Sequence, residues 1–147
     1  MKRAILGVLL SFVATGQAFA ACPSEQATVF SCTTKKAKTI EVCDLGDKIS
    51  YSFGPANKPE LSISVPRSLA TTRQWEGMGR TISYSVDVPN GKTIYSVYWA
   101  VDRLSDSHDI AAGVEVIING KSAANVSCDP KKDIVQNMEG IDLKPTP

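Results

Sequence analysis

Apolar and small polar residues alternate along much of the chain, which is the pattern of strands with one buried and one solvent-facing side. Turn-forming residues separate these runs, and no long segment has the 3.6-residue apolar period of a helix. The clearest early runs are residues 28–33, 39–43, 49–53 and 61–65. Residues 54–59 are predicted to form a loop, because two prolines and a glycine cannot sustain a ladder.

Asn90-Gly91 is the strongest turn signal, because this dipeptide supplies the two positive φ angles of a type I′ hairpin. With these residues in a two-residue turn, the apolar residues share one face of the hairpin and the serines lie on the other. The predicted apolar pairs are Val88 with Thr93, Val86 with Tyr95, Tyr84 with Val97, and Ile82 with Trp99.

A second Asn-Gly pair, Asn119-Gly120, joins residues 114–118 to residues 121–128. The facing residues alternate less regularly here, so we expect a bulge or an edge strand. The polar segment 102–112 is predicted to be a loop or one helical turn.

About eight strands at hairpin spacing, without crossover helices, predict an all-β fold. We expect a small antiparallel β-barrel or sandwich, formed by a single domain over residues 21–147. Within it, residues 129–147 are predicted to be a partly ordered tail with a short packed segment and a frayed end.

Residues 1–20 have the layout of a secretory signal peptide. Lys2 and Arg3 precede an almost wholly apolar run over residues 4–13, and a small-x-small cleavage site ends at Ala20. This run is too short for a membrane anchor, and no later stretch reaches the ~18 apolar residues of a spanning helix. We predict cleavage after Ala20 and a periplasmic or secreted protein; an uncleaved N-terminal helix is the alternative.

All four cysteines, Cys22, Cys32, Cys43 and Cys128, follow the predicted cleavage site. An even number in an exported chain predicts two disulfides. Metal binding is the competing interpretation, but no C-x-x-C pair or Cys/His spacing supports it, so we predict no metal. The residues before Cys22 also resemble a lipoprotein lipobox. Lipidation would leave three thiols, so we expect an unmodified chain, with a lipoprotein anchored at Cys22 as the alternative.

The formal net charge is +1 for the whole chain and becomes −1 without residues 1–20, which contain two basic and no acidic residues. A nearly neutral surface argues against nucleic acid or anionic lipid as the main partner, because both bind concentrated basic faces. The one basic run, residues 35–38, is predicted to be a solvated hairpin tip; a binding patch is the alternative.

Catalysis is not predicted by any motif in the chain. The only histidine, His108, lies close to Ser105 and Ser107, but a hydrolase needs a base, an oriented partner and a nucleophile that converge in space. Neither a G-x-S-x-G motif nor a pair of carboxylates stands out, and three aspartates near His108 lack a recognised metal-ligand spacing. We predict that the protein is not an enzyme and has no cofactor.

Residues 71–80 are the candidate binding surface. Trp75 lies among polar residues outside any strand pattern, with Arg73 and Arg80 nearby. Because tryptophan and arginine most often dominate protein interfaces, we predict a protein-contact loop with Trp75 as its anchor and the two arginines as flanking contacts. A tryptophan folded back over the end of the domain as a plug is the alternative.

The first strands follow a particular order: an aromatic-x-Cys strand ending at Cys32, a short basic turn, residues 40–42, and the alternating strand 49–53. This order resembles the membrane-bound and periplasmic inhibitors of c-type lysozyme, in which a late cysteine pairs with the first strand. The resemblance implies a Cys32–Cys128 bond and leaves Cys22 to pair with Cys43.

The hairpin register is consistent in part with this pairing. A first turn centred near Lys36 sets Cys43 opposite Val29, so Cys32 and Cys43 are poorly placed to bond directly. The segment that would match the family's first inhibitory motif, residues 71–75, keeps only a hydroxyl and an aromatic side chain, and the second motif has no clear counterpart.

From these features we expect a periplasmic protein-binding domain that inhibits a lysozyme or a related peptidoglycan hydrolase. Two disulfides and tight hairpins make a rigid scaffold, and a rigid loop loses little entropy when it enters an enzyme cleft. The alternatives are a structural or envelope-associated β domain without an enzyme target, and an immunity protein against a periplasmic effector. An exposed Trp75 favours the inhibitor, and a buried one favours the envelope domain.

Overall fold

The chain folds as a sandwich of two β-sheets in a computed structural model, which describes residues 22–147. The predicted signal peptide, residues 1–20, lies outside the described residues. Two short 3-10 helices, Glu25–Ala27 and Arg67–Leu69, accompany the strands. The strands are β1 Thr28–Thr33, β2 Thr39–Asp44, β3 Lys48–Gly54, β4 Leu61–Pro66, β5 Thr71–Arg73, β6 Thr81–Asn90, β7 Thr93–Asp102, β8 Ile110–Ile118, β9 Lys121–Ser127, β10 Ile134–Gln136 and β11 Lys144–Pro145.

One sheet has five strands in the order β10-β1-β2-β3-β4, and the other has six in the order β11-β5-β6-β7-β8-β9. Every pairing is antiparallel except that of β11 with β5. The all-β prediction is confirmed, and the architecture is the sandwich. The eight predicted strands are all present. The three that sequence reasoning missed, β5, β10 and β11, have only two or three residues each, too few for an alternating pattern to show.

The C-terminal segment closes one side of the sandwich. Its strand β10 pairs with β1 in the five-stranded sheet, and its strand β11 pairs with β5 in the other sheet. Between them, Met138 is fully buried in the core. The frayed end that we predicted is wrong, because these two short strands find partners that are distant in sequence.

The β6–β7 hairpin keeps the predicted face but not the predicted register. Val88 lies opposite Tyr95, and Val86 lies opposite Val97, two residues away from the predicted partners. A shift of two residues preserves the side to which each residue points. The buried face is therefore as predicted, with Val86, Val88 and Val97 fully buried.

Pro89 accounts for this shift. A turn over Asn90-Gly91 would make Pro89 and Lys92 its closing pair, in which both residues donate their N–H, and proline has none. In the structure Asn90 pairs with Thr93, so the turn consists of Gly91 and Lys92. Gly91 supplies a positive φ of 61°, as the first central residue of a type II′ turn does.

The β8–β9 hairpin follows the sequence prediction closely. Asn119 and Gly120 form its turn, with φ angles of 51° and 75°. A bulge interrupts the ladder after Val116, and β9 is the edge strand of its sheet, so both expectations for this segment are confirmed. The preceding loop is shorter than predicted, since Ile110 already pairs with Val101 in β7.

The sandwich is held together by one core and by two disulfides. Tyr51 of one sheet stacks on Tyr95 of the other with their ring centroids 4.8 Å apart. The other core side chains are mainly aliphatic: Val29, Ile40, Val42, Ile49, Val86, Val88, Val97, Val114 and Met138, with Phe30 among them.

The disulfides are Cys22–Cys43 and Cys32–Cys128, as the resemblance implied. A bulge in the first hairpin places Cys43 opposite Thr28 instead of the expected Val29. The sulfur of Cys22 is bonded to that of Cys43, so in this fold it is not available for a lipid thioether. Over residues 22–147, the structure has no helix of the length and hydrophobicity needed to cross a bilayer.

Candidate functional site

The two ends of the sandwich differ in the length of their connections. Tight turns at residues 45–47, 91–92 and 119–120 lie at one end. Longer loops lie at the other end, which we call the loop end: residues 34–38, 55–60, 74–80 and 103–109. Because loops held on a rigid scaffold carry most binding residues, the loop end is where a site is expected.

Trp75 is half-buried at the loop end, where its indole packs against the core. Its Nε1–H donates a 2.8 Å hydrogen bond to the carbonyl oxygen of Met78. Gly77 and Gly79 have φ angles of 82° and 88°, which non-glycine residues rarely adopt, and they let the loop curl around the ring. Trp75 is thus neither the fully exposed anchor that we predicted nor a completely buried plug.

Arg103 fastens the 74–80 loop to the 103–109 loop. Its guanidinium lies 5.4 Å from the centroid of the Trp75 ring, and its Nε donates to the carbonyl oxygen of Gly79 at 3.0 Å. Its backbone N–H donates to the carbonyl oxygen of Arg80 at 3.2 Å. We call residues 74–80 and 103–109 together the tip, since these contacts make them one structural unit.

The ion pair between Arg80 and Asp102 closes the base of the tip. The Nε of Arg80 donates to Oδ2 of Asp102 at 2.6 Å. Desolvation acts to raise the pKa of Asp102, but hydrogen bonds from Arg80, Leu104 and Ser105, with the charge of Arg80, hold that pKa below its ordinary value. The carboxylate therefore stays ionised and organises the start of the 103–109 loop.

Gln74 connects the tip to the C-terminal segment. Its Nε2 donates to Oγ1 of Thr72 at 2.8 Å and to the carbonyl oxygen of Met138 at 2.9 Å. Its Oε1 accepts a 2.9 Å hydrogen bond from the backbone N–H of Gly140. The 74–80 loop is therefore anchored to the C-terminal segment through Gln74 and to the 103–109 loop through Arg103.

Two apolar side chains point outward from the tip: Met78 is 76% exposed and Leu104 is 66% exposed. They are the most exposed large hydrophobic residues in the described part of the chain. Sequence reasoning missed both. The available signal was the same for both: Met78 is an apolar residue in a glycine-rich loop, and Leu104 is one in a polar loop. Neither belongs to a strand or helix that would bury it.

The three predicted contact residues differ in their surroundings. Trp75 and Arg80 belong to the tip, where both are engaged by their own chain. Arg73 is exposed at the end of β5, opposite Ser85 of β6. Near the predicted contact residues, the apolar side chains that point outward are instead those of Met78 and Leu104.

The residues around His108 form hydrogen bonds that stabilise their own loop. Ser105 Oγ accepts from the backbone N–H of His108 at 3.1 Å and donates to the carbonyl oxygen of Asp102 at 3.1 Å. His108 Nδ1 lies 3.3 Å from the carbonyl oxygen of Asp106, and His108 has a φ of 47°. These contacts shape a polar surface loop, and the absence of enzymatic activity remains a prediction.

One group of three potential metal ligands occurs among the described residues: Cys22, Glu41 and Cys43, whose ligand atoms lie within 4.8 Å of one another. Its two sulfur atoms are bonded to each other, so it offers no thiolate. Burial raises the pKa of Glu41, and a hydrogen bond from the N–H of Cys22 opposes this. The group therefore consists of a disulfide with the carboxyl group of Glu41 beside it.

Comparisons of this chain with protein-family models, with curated proteins and with solved structures gave no match. The resemblance to the inhibitors of c-type lysozyme therefore stays a prediction from the order of strands and cysteines.

Proposed function

We propose that this protein is an exported protein-binding domain that inhibits a lysozyme or a related peptidoglycan hydrolase, and that it binds through the tip. The observation that carries the proposal is the exposure of Met78 and Leu104 on two loops that are fastened to each other and to the core. Apolar groups at the centre of a contact supply most of its binding energy when the partner removes them from water.

The tip is suited to this role because its conformation is fixed before binding. Hydrogen bonds from Trp75, Gln74 and Arg103 hold its backbone in place. Association then orders few additional groups, and less of the interaction energy is lost to conformational entropy.

The charge of the tip favours a basic partner. Glu76, Asp106 and Asp109 are exposed, and none of them forms an ion pair within residues 22–147. The two arginines of the tip are engaged by Asp102 and by the Trp75 ring. The contact with the Trp75 ring leaves the charge of Arg103 in place, but the three acidic residues outnumber it. The net charge of the tip is therefore negative, which would steer association with a basic enzyme such as a c-type lysozyme.

An extracytoplasmic location is compatible with the two disulfides. Together with the signal peptide predicted for residues 1–20, they support a location in the periplasm or outside the cell. Peptidoglycan hydrolases act in the same compartments.

An inhibition assay tests this proposal. The mature protein, recovered after export, is added to a panel of lysozymes and other muramidases, and the clearing of a cell-wall suspension is followed. We expect stoichiometric inhibition of at least one c-type lysozyme or related hydrolase. Absence of both inhibition and binding across the panel would contradict the inhibitor assignment.

A structural, envelope-associated domain is the second candidate. It is favoured by the half-burial of Trp75, whose Nε1–H is satisfied by its own loop without a partner. Such a domain would fractionate with the cell envelope and leave every hydrolase active. An immunity protein would instead use the tip on an effector, so effector neutralisation without lysozyme inhibition would identify that role.

A further inference from the structure

A cleft with a volume of about 720 Å³ opens at the loop end, beside the edge strand β9. Its walls come from the β1–β2 turn on one side and from β7, β8 and β9 on the other. This volume is within the range of about 300–1,000 Å³ that is usual for small-molecule sites. None of the tip contacts described above uses this cleft.

Apolar side chains line most of the cleft. Phe53, Ile110 and Val126 are three of them, and all three are partly accessible. Ala111 and Ala112 also line the cleft; their side chains point to opposite faces of β8, and Ala112 is buried while Ala111 is exposed. An apolar chain placed here would be removed from water along much of its length, which is favourable in proportion to the area buried.

The charged residues that line the cleft are all basic. Lys35, Lys36 and Lys38 belong to its wall, and no Asp or Glu does. Lys38 is already engaged, since its Nζ lies 2.8 Å from Oε2 of Glu60 and 5.2 Å from the centroid of the Phe53 ring. Lys35 and Lys36 are exposed and form no ion pair within the described residues.

We propose that this cleft binds a single-chain fatty-acid carboxylate. The acyl chain would lie along the apolar lining formed by Phe53, Ile110 and Val126, and the carboxylate would interact with the lysines at the mouth, Lys35 and Lys36. An apolar lining next to two unpaired ammonium groups is complementary to an anionic amphiphile, and it disfavours a cationic one of the same length. The basic run of residues 35–38 then has a ligand-binding role beyond that of a hairpin tip, independent of the proposed hydrolase target.

Calorimetric titration of the full mature protein with dodecanoate, below its micelle concentration, tests this. We expect one site, with affinity falling about fourfold for each methylene removed in decanoate and octanoate. The Lys35→Gln/Lys36→Gln double variant should bind dodecanoate at least about tenfold more weakly, since each charge-assisted contact contributes substantially. The matched control, Lys92→Gln/Lys121→Gln, removes the same charge at the other end of the sandwich and should keep the wild-type affinity.

A third variant, Ile110→Trp, adds bulk at a partly exposed position of the apolar lining without changing the charge, and it should abolish binding. Unchanged affinity in this variant would place the ligand elsewhere and overturn the proposal. Equal weakening in both lysine pairs, equally tight binding of dodecyltrimethylammonium, or no binding of dodecanoate at all would also overturn it. Circular dichroism of each variant verifies that the fold is retained.

Discussion

The guanidinium of Arg103 lies 5.4 Å from the centroid of the Trp75 ring, and this contact joins two loops that are distant in sequence. Cation–π contacts at exposed sites contribute about 0.5–1 kcal/mol, so the pair adds order more than stability. Because the indole is covered by its own loop and by Arg103, Trp75 supports the tip. In the proposed complex, the contact with the partner would be made by the exposed side chains of Met78 and Leu104.

Trp75→Ala should lower the free energy of unfolding by about 2 kcal/mol. This is less than the ~3–5 kcal/mol for a fully buried tryptophan, because the indole is only half-buried. Urea denaturation of the purified variant measures the change, with Met78→Ala as the control that should stay within about 0.5 kcal/mol of the wild type. A loss below 0.5 kcal/mol for Trp75→Ala would show that the indole does not pack against the core.

The two disulfides should contribute unequally to stability. Cys32–Cys128 closes a separation of 96 residues and Cys22–Cys43 one of 21 residues. Each bond lowers the entropy of the unfolded chain. In the loop-entropy description this raises the free energy of unfolding by about 5 kcal/mol for Cys32–Cys128 and about 3 kcal/mol for Cys22–Cys43. Denaturation of the Cys32→Ala/Cys128→Ala and Cys22→Ala/Cys43→Ala variants compares them. A larger loss from the second pair would contradict the entropic ranking.

Acid should destabilise the tight-turn end through the ion pair of Asp44 with Arg67. Their Oδ1 and Nη1 atoms are 2.6 Å apart. Burial alone would raise the pKa of Asp44, but hydrogen bonds from Arg67 and Gly46 and the charge of Arg67 lower it below its ordinary value of 3.8. A lowered folded-state pKa means that the stabilisation is complete above the unfolded pKa and is lost as the pH falls through the folded one.

We therefore expect Asp44→Asn to remove about 1 kcal/mol of stability at neutral pH, because the pair is partly exposed to solvent. The variant should also show a shallower loss of stability than the wild type between about pH 4 and the folded pKa. Urea denaturation across this range measures both. Parallel pH profiles for the two proteins would contradict the assigned role of Asp44.

The sequence was sufficient for those parts of the fold in which local pattern and global packing agree. Alternation identified eight strands, and the second Asn-Gly turn formed as predicted. The register predicted for the first Asn-Gly turn, Asn90-Gly91, was wrong by two residues, because Pro89 cannot donate the hydrogen bond that this turn needs. Strands β10 and β11 were missed because they exist only through partners that are distant in sequence.

The candidate site was predictable only in its location. Trp75 drew attention to residues 71–80, but its indole packs against the core and contacts Arg103, and no local pattern connects Trp75 with either. For the same reason Met78 and Leu104 could not be ranked above other loop residues until the fold placed them outward. Residues that meet through tertiary structure leave no spacing signal in a single sequence.

Calorimetric titration of a sensitive hydrolase with tip variants tests the central claim most directly. Met78→Ser/Leu104→Ser should weaken binding by at least about 2 kcal/mol, roughly thirtyfold, without changing the free energy of unfolding by more than about 0.5 kcal/mol. The control, Leu69→Ser/Ile118→Ser, removes two exposed apolar side chains at the tight-turn end and should bind as the wild type does. Wild-type affinity in the tip variant, or an equal loss in the control, would contradict binding through the tip.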